Sequence, residues 1–210
     1  MRLFLASQDF GNYVDRLSAM VGKNRKTLVV TNARDYSVDK VVEAQKELFA
    51  ANDLDFYELD LRKYFGQQEE LEKFVDEYRP GAVILLGGNV FLLRRALYQS
   101  GFDEILKRDV CADKYVLAGH SAGAIVAGSE LHEFERLDDA TLVLPGYQEE
   151  IIWGGLGLTS MAILPHADSE KYGNEVARLS AEFEKENRRH VVLNDSDVFV
   201  VDNLKEEVLR

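Results

Sequence analysis

Cysteine is almost absent from this chain, because Cys111 is the only one among 210 residues. A single cysteine excludes an intramolecular disulfide and any metal site built from several thiolates. Long apolar runs are missing as well. The run in MRLFLASQDF is too short for a signal peptide, and no later stretch is long enough to cross a bilayer. We therefore expect a cytoplasmic protein with no membrane partner.

Basic residues are also in short supply, since 25 Lys and Arg stand against 37 Asp and Glu and leave a formal net charge of -12 at pH 7. Such a charge repels phosphate backbones, so nucleic acid is not expected as a partner. Apolar residues (46%) and charged residues (30%) are present in proportions ordinary for a globular protein. No linker, repeat or low-complexity segment interrupts the chain, and residues 1–210 are predicted to form one domain.

Short apolar runs alternate with segments of helical period in the first part of the chain. KTLVVTNA and AVILLGG are examples of the runs, and LEKFVDEY has its apolar residues at helical spacing. Repeated strand and helix units predict an α/β fold, a doubly wound, mostly parallel sheet with helices on both faces. At the end of the chain, HVVLNDSDVFVVDN and EEVLR predict an antiparallel β-ribbon.

Ser121 lies in Gly119-His120-Ser121-Ala122-Gly123, which fits the pattern G-x-S-x-G. In that pattern the glycines allow a sharp turn from strand to helix that exposes the serine hydroxyl. The context agrees, because an apolar strand comes before the motif and AIVAG opens a helix after it. Two interpretations remain open on these residues alone: Ser121 is a nucleophile, or it is a small residue where a strand meets a helix.

A nucleophilic serine needs a base to take its proton and a third group to orient that base. His166, in AILPHAD, follows an apolar strand and is the candidate base, ahead of the other three histidines. The loop between Ser121 and His166 offers several carboxylates, and spacing does not decide among them. They are Glu130, Glu133, Glu135, Asp138, Asp139, Glu149 and Glu150.

A second glycine motif, LLGGNV, ends the strand that precedes the Ser121 strand in sequence. Gly87 and Gly88 allow the backbone to approach a bound carbonyl closely. The N–H of Gly88 and the unpaired N–H of Ala122, at a helix start, are therefore candidate donors to an oxyanion. An ordinary glycine turn before the next helix is the alternative.

Taken together, LLGGNVFLLRRAL, LAGHSAGAIVAG and AILPHAD resemble the peptidase E (aspartyl dipeptidase) family of serine peptidases, which are related to the cyanophycinases. The order and spacing of these motifs match over most of the chain. That family is similar in fold to the class I glutamine amidotransferases, with serine in place of their cysteine. The resemblance thus implies a flavodoxin-like, three-layer arrangement.

The resemblance implies a role for each motif residue. Ser121 becomes the nucleophile, His166 the base, and Gly88 and Ala122 the oxyanion donors. Asn89, in the GGN motif, is similar to a residue that shapes the substrate cleft. The third catalytic group is expected in the loop after the Ser121 helix, where the LDD turn is the nearest match, and Asp139 is chosen over Asp138.

The chain departs from the family in one motif. In aspartyl dipeptidases, an arginine downstream of the histidine is similar to a partner for the substrate: this arginine pairs with the acidic side chain of the substrate. Here Val176 occupies the corresponding position in YGNEVAR. Arg178, two residues on, is the candidate replacement, with Lys171 as an alternative cation, so the preference for N-terminal aspartate is left open.

The expected function is that of a serine peptidase hydrolysing short peptides, in particular dipeptides, without a metal or organic cofactor. Its partner would be a small peptide substrate, and it would act as a monomer or homodimer. A carboxylesterase of the α/β-hydrolase type shares the Ser121 motif and is one alternative. A non-catalytic module that binds a small molecule is the other. A glutamine amidotransferase is disfavoured because Cys111 precedes the Ser121 strand.

Overall fold

The computed structural model describes residues 1–10, 12–37 and 40–210 of the chain, with the backbone alone for residues 40–42. The strands are β1 (Arg2–Ala6), β2 (Thr27–Val30), β3 (Tyr57–Leu59), β4 (Ala82–Leu85), β5 (Val116–His120), β6 (Ala162–Leu164), β7 (His190–Val192), β8 (Val198–Asp202) and β9 (Lys205–Leu209). The helices are α1 (Val14–Val21), α2 (Lys40–Ala51), α3 (Gln68–Tyr78), α4 (Val90–Ser100), α5 (Phe102–Cys111), α6 (Ala122–Ile125) and α7 (Gly173–Lys185). None of the helices in these described ranges is both long and apolar enough to cross a membrane.

The main sheet has the strand order β3-β2-β4-β5-β1-β8-β9. Its first five strands in this order run parallel, as strands joined by helical crossovers must. Both faces of the sheet are buried. On β1, Leu3 and Leu5 pack into one apolar cluster, while Phe4 and Ala6 pack into a second cluster on the opposite face. The predicted doubly wound α/β fold is therefore confirmed.

The C-terminal ribbon is also confirmed, with one difference from the expectation. β8 and β9 pair antiparallel, and β8 adds to the main sheet beside β1, again antiparallel. HVV, which the sequence placed with this ribbon, forms β7 and pairs instead with β6 in a small parallel sheet. The chain therefore passes from the small sheet back to the main sheet between β7 and β8.

The carboxyl ends of β1, β4 and β5 meet at one edge of the main sheet. Ser7 follows β1, the glycines of LLGGNV follow β4, and Ser121 follows β5. In an open α/β sheet this edge is where ligands bind, because backbone and side chains from several strands converge there. The topology thus brings distant motifs of the sequence into one place.

Candidate active site

Ser121 occupies a strained turn between β5 and α6, with φ 50° and ψ −118°. A positive φ is costly for a residue with a Cβ and persists where the surroundings fix it. Here the Ser121 N–H donates to the carbonyls of Ala6 (3.1 Å) and Ser7 (2.9 Å). Its own carbonyl accepts the N–H groups of Ala124 and Ile125, both at 2.9 Å. The backbone therefore holds Ser121 in place without using its hydroxyl.

The two glycines of the Ser121 motif are required by close packing. A Cβ on Gly119 would lie 2.4 Å from the Gly123 oxygen, and a Cβ on Gly123 would lie 2.0 Å from the Leu85 oxygen. Both distances are below any real contact, so a side chain at either position would push α6 away from β4 and β5.

His166 leaves the end of β6 and reaches Ser121. Its Nε2 lies 2.9 Å from Ser121 Oγ, and its Nδ1 lies 2.6 Å from Asp195 Oδ1. The structure therefore brings Ser121 and His166 together, as the sequence predicted. A hydroxyl, an imidazole and a carboxylate in one hydrogen-bonded line can activate the hydroxyl as a nucleophile.

The prediction that Asp139 orients His166 does not match this geometry. Asp139 is exposed, and its Oδ1 accepts the N–H (2.8 Å) and the hydroxyl (2.6 Å) of Thr141. Asp195, in the turn between β7 and β8, occupies the position beside His166. The carboxylate comes after the histidine in sequence, whereas the predicted acid, Asp139, lies in the loop before it. The acidic turn NDSD directly after an apolar strand is the signal that would have found it.

Ser7 is a second residue of the site that sequence reasoning missed. Its fully buried hydroxyl accepts the backbone N–H of His166 at 2.7 Å and lies 3.5 Å from Asp195 Oδ1. Ser7 thus fixes the histidine and its carboxylate relative to β1. A polar residue at the end of the apolar strand RLFLA was the available signal.

The candidate oxyanion donors lie at the same edge of the sheet. In the described part of the chain, neither the Gly88 N–H nor the Ala122 N–H donates a hydrogen bond. Gly88 has φ 147°, and a Cβ there would lie 2.3 Å from the Ala33 oxygen. Glycine is therefore needed at position 88, and it lines the cleft beside Ser121.

His120, adjacent to Ser121 in sequence, does not serve as its base. The imidazole is buried, and Nε2 accepts the Gly87 N–H at 3.1 Å. Burial lowers the pKa of His120 to about 3, with smaller contributions from the positive charges of Arg34 and His166. A neutral imidazole whose lone pair is already used leaves His166 as the proton acceptor.

A cleft of about 360 Å³ opens above Ser121, and Asp138 and Lys171 place opposite charges on its wall. Asp138 Oδ2 accepts the N–H of Val90 at 2.8 Å. Burial raises the pKa of Asp138 to about 6, against the opposing effects of the Val90 N–H and of positive charge on Lys171 and His166. The hydrogen bond from Lys171 to the Tyr172 hydroxyl raises the pKa of Lys171.

Of the two predicted substrate-binding residues, one lies at the cleft. Asn89 caps α4 by accepting the N–H groups of Phe91 and Leu92 (both 2.9 Å), and its amide donates to the Asp139 carbonyl. It therefore ties the loop that carries Asp138 to the glycine turn.

Arg178 does not line the cleft, because its exposed side chain pairs with Glu175 on α7. The cation on the cleft wall is Lys171, the alternative considered for this role.

No group of three or more His, Cys, Asp or Glu side chains within the described ranges is arranged to hold a metal ion.

An α/β sheet with a serine, a histidine and a carboxylate aligned at its carboxyl edge is an arrangement found in hydrolases. The family to which the chain belongs defines the class of hydrolase more narrowly. The model of peptidase family S51 matches residues 3–208, and the chain belongs to this family. Membership of this family supports the conclusion that the protein is a peptidase, which is a hydrolase of peptide bonds. It also confirms the resemblance to peptidase E.

Individual relatives agree with the family. An uncharacterized peptidase of Listeria innocua is 25% identical over 185 residues, covering 87% of this chain and 82% of the relative. A second, from Listeria monocytogenes, is 23% identical, with 83% and 80% covered. A crystal structure of a candidate peptidase E protein from Listeria monocytogenes superposes with a TM-score of 0.81 at 18% identity, covering 100% of this chain and 98% of that one. A peptidase from an acI-B1 Actinobacterium gives a TM-score of 0.58 at 14% identity, covering 99% and 93%.

Proposed function

We propose that the protein is a serine peptidase that hydrolyses short peptides, in particular dipeptides, through an acyl-enzyme intermediate. The observation that carries the proposal is the line from Ser121 Oγ to His166 Nε2 (2.9 Å) and from His166 Nδ1 to Asp195 Oδ1 (2.6 Å). Such distances allow direct proton transfer from the hydroxyl to the imidazole.

In the first half of the reaction, Ser121 Oγ attacks the peptide carbonyl carbon while His166 Nε2 takes the hydroxyl proton. The carbonyl oxygen becomes an oxyanion that accepts the N–H groups of Gly88 and Ala122. Asp195 stabilises the imidazolium and keeps Nδ1 protonated. The C–N bond then breaks, and the leaving amine takes its proton from His166 Nε2.

In the second half, water replaces the amine. His166 takes a proton from the water as its oxygen attacks the ester carbon, and the same two N–H groups stabilise the second oxyanion. Collapse of this intermediate breaks the ester bond and returns the proton to Ser121. The acyl group leaves as a carboxylic acid that carries the oxygen of the water, and the free enzyme is regenerated.

The volume and the charges of the cleft favour a short, zwitterionic substrate. A volume of about 360 Å³ lies at the lower end of what small-molecule sites have. Asp138 can accept hydrogen bonds from an ammonium group, and Lys171 can attract a carboxylate. In a dipeptide, the ammonium nitrogen lies about 2.5 Å from the scissile carbonyl carbon, since two bonds separate them. Because Ser121 and Asp138 line the same cleft, one small molecule can present its carbonyl to the first and its ammonium group to the second.

The chain order of the three groups weighs against the esterase alternative. α/β-Hydrolases carry their acid before the histidine, in the order Ser, Asp or Glu, His. Here Asp195 follows His166. The strained Ser121 backbone also weighs against a binding module, because a module has no use for a hydroxyl held against a histidine.

The proposal is tested by covalent trapping. A fluorophosphonate is expected to add one phosphonyl group to Ser121 Oγ with loss of fluoride, and the modified residue is identified by mass spectrometry of proteolytic fragments. A panel of dipeptides differing in the N-terminal residue is then assayed for free amino acids. Serine-dependent cleavage that trapping abolishes supports the peptidase. A folded protein that reacts with no fluorophosphonate and cleaves no dipeptide contradicts it.

Asp138→Asn is expected to remove the preference for a free amino terminus. Asparagine keeps an oxygen for the Val90 N–H and removes the negative charge. At pH 7.5 the wild-type carboxyl is mainly ionised, since its pKa is about 6. Loss of one charge-assisted hydrogen bond should lower kcat/KM for a free dipeptide by about 10- to 100-fold. The same dipeptide with an acetylated nitrogen serves as the control, and its slower hydrolysis should change by less than about threefold. Equal losses for both substrates would assign Asp138 to the structure of the loop instead.

A further inference from the structure

Gly87 is bonded by a side chain at each of its backbone polar groups. Its N–H donates to His120 Nε2 at 3.1 Å, and its carbonyl accepts a hydrogen bond from Arg34 Nε at 2.6 Å. The Gly87 carbonyl belongs to the same peptide group as the Gly88 N–H, the proposed oxyanion donor. Arg34 therefore binds the far end of the peptide group that faces the substrate.

This peptide group lies between two backbone N–H groups that are held by hydrogen bonds. Before it, the Leu86 N–H is fixed on the Val30 carbonyl (3.0 Å), and after it the Asn89 N–H is fixed on the Ala33 carbonyl (2.8 Å). Two glycines carry no Cβ, so coupled changes in ψ of Gly87 and φ of Gly88 can turn the peptide over while its neighbours stay in place. The turned peptide would present a carbonyl oxygen to the oxyanion in place of an N–H.

We propose that Arg34 is a positioning residue for the oxyanion hole, which holds the Gly87–Gly88 peptide with the Gly88 N–H directed toward the carbonyl bound at Ser121. The proposal rests on the serine peptidase function proposed above. A hydrogen bond from a guanidinium is stronger than one between neutral groups, so turning the peptide over would break a strong contact. The same bond polarises the peptide and makes its N–H a better donor.

The surroundings of Arg34 agree with this role. Its side chain is half-buried, and within the described residues it forms no ion pair and donates its one hydrogen bond to Gly87. Burial lowers the pKa of Arg34, an effect that the nearby Asp9 and Tyr36 oppose. Arginine stays charged in proteins in any case. The contacts of Arg34 thus point to Gly87 and not to a surface salt bridge.

Arg34→Met and Arg34→Lys test the proposal. Methionine keeps an unbranched side chain and removes the donor, whereas lysine keeps a cation that can still reach the Gly87 carbonyl. Removal of a whole oxyanion donor costs about 10² to 10³ in kcat in other enzymes. Because the turned peptide is only one of two states, Arg34→Met should lower kcat by a factor on the order of 10 to 10² and leave KM within about threefold. Arg34→Lys should recover part of the loss.

An inhibitor gives a second readout that a purely structural role would not change. An amino aldehyde corresponding to the best N-terminal residue forms a hemiacetal: Ser121 Oγ bonds to the aldehyde carbon, and the hydroxyl proton passes to His166. The oxygen of the former aldehyde group then lies in the oxyanion hole. Arg34→Met should weaken aldehyde inhibition by the same factor by which it lowers kcat. The control is Arg189→Met, which removes an exposed arginine paired with Glu206 (3.1 Å) and should change neither the inhibition nor kcat.

Several results would overturn the proposal. Unchanged kcat in Arg34→Met would do so, as would a rise in KM with kcat constant. A loss accounted for by fewer fluorophosphonate-titratable sites would show that Arg34 supports folding only. Failure of the proposed function is seen separately, because wild-type protein would then show no Ser121-dependent cleavage, and this inference would fall with it.

Discussion

Replacing Ser121 with alanine is expected to lower kcat for dipeptide hydrolysis by a factor on the order of 10⁴ to 10⁶. The hydroxyl is the atom that would bond to the substrate, and the Ser7 hydroxyl at the same edge is fully buried and cannot take its place. The Gly88 and Ala122 N–H groups and the cleft remain, so KM should change little. Residual activity would come from these donors acting on a water molecule.

The measurement is free amino acid released from the best dipeptide, at enzyme concentrations high enough to detect the residual rate. Ser129→Ala, at an exposed serine shortly after α6, is the matched control and should retain wild-type kcat. Thermal unfolding of both variants should resemble that of the wild type, because the Ser121 backbone and not its hydroxyl makes the hydrogen bonds of the turn. A Ser121→Ala enzyme within a few-fold of wild type would eliminate Ser121 as the nucleophile.

Asp195→Asn is expected to lower kcat by a factor on the order of 10⁴, as the corresponding change does in a serine protease with the same three groups. The carboxylate keeps the proton of His166 on Nδ1 and leaves Nε2 free to accept from Ser121. An asparagine amide can donate to Nδ1, which places the proton on Nε2 and removes the base. The fold should tolerate the change, since the two side chains have nearly the same shape.

Asp139→Asn is the informative comparison for that experiment. Asp139 bonds to Thr141 and not to His166, so the variant should stay within a few-fold of wild type. Both enzymes are assayed with the same dipeptide, and their folding is compared by circular dichroism. The reverse pattern, an inactive Asp139→Asn and an active Asp195→Asn, would mean that the hydrogen bond seen at His166 is not the one used in catalysis.

Much of the fold could be predicted because its determinants are local. Each parallel strand is buried on both faces and therefore appears as an unbroken apolar run between segments of helical period. The Ser121 turn could also be predicted, because its motif of two glycines around a serine lies within five consecutive residues. Of the two glycines, Gly119 is required by a contact with nearby Gly123, whereas Gly123 is required by a contact with Leu85 on β4. His166 followed from a similar signal, a polar residue where an apolar strand stops.

What the sequence did not reveal depends on contacts between distant segments. β7 joins β6 and not β8, a choice made by tertiary packing among short apolar runs of similar composition. Asp195 was overlooked for the same reason, since any of several acidic turns can reach a histidine until the topology is known. The pairing of β8 with β1 determines which acidic turn reaches His166, because it brings the turn before β8 to the sheet edge that carries Ser7.

Ser7 and Asp195 are 188 positions apart, and Ser7 and His166 are 159 apart. During synthesis, a chain still emerging from the ribosome can form the Ser121 turn long before its partner residues exist. Contacts of such long range are also the slowest to form after release. The hydrogen-bonded line from Ser121 to Asp195 is thus completed only when β8 has paired beside β1, so the proposed hydrolysis depends on contacts that form late in folding.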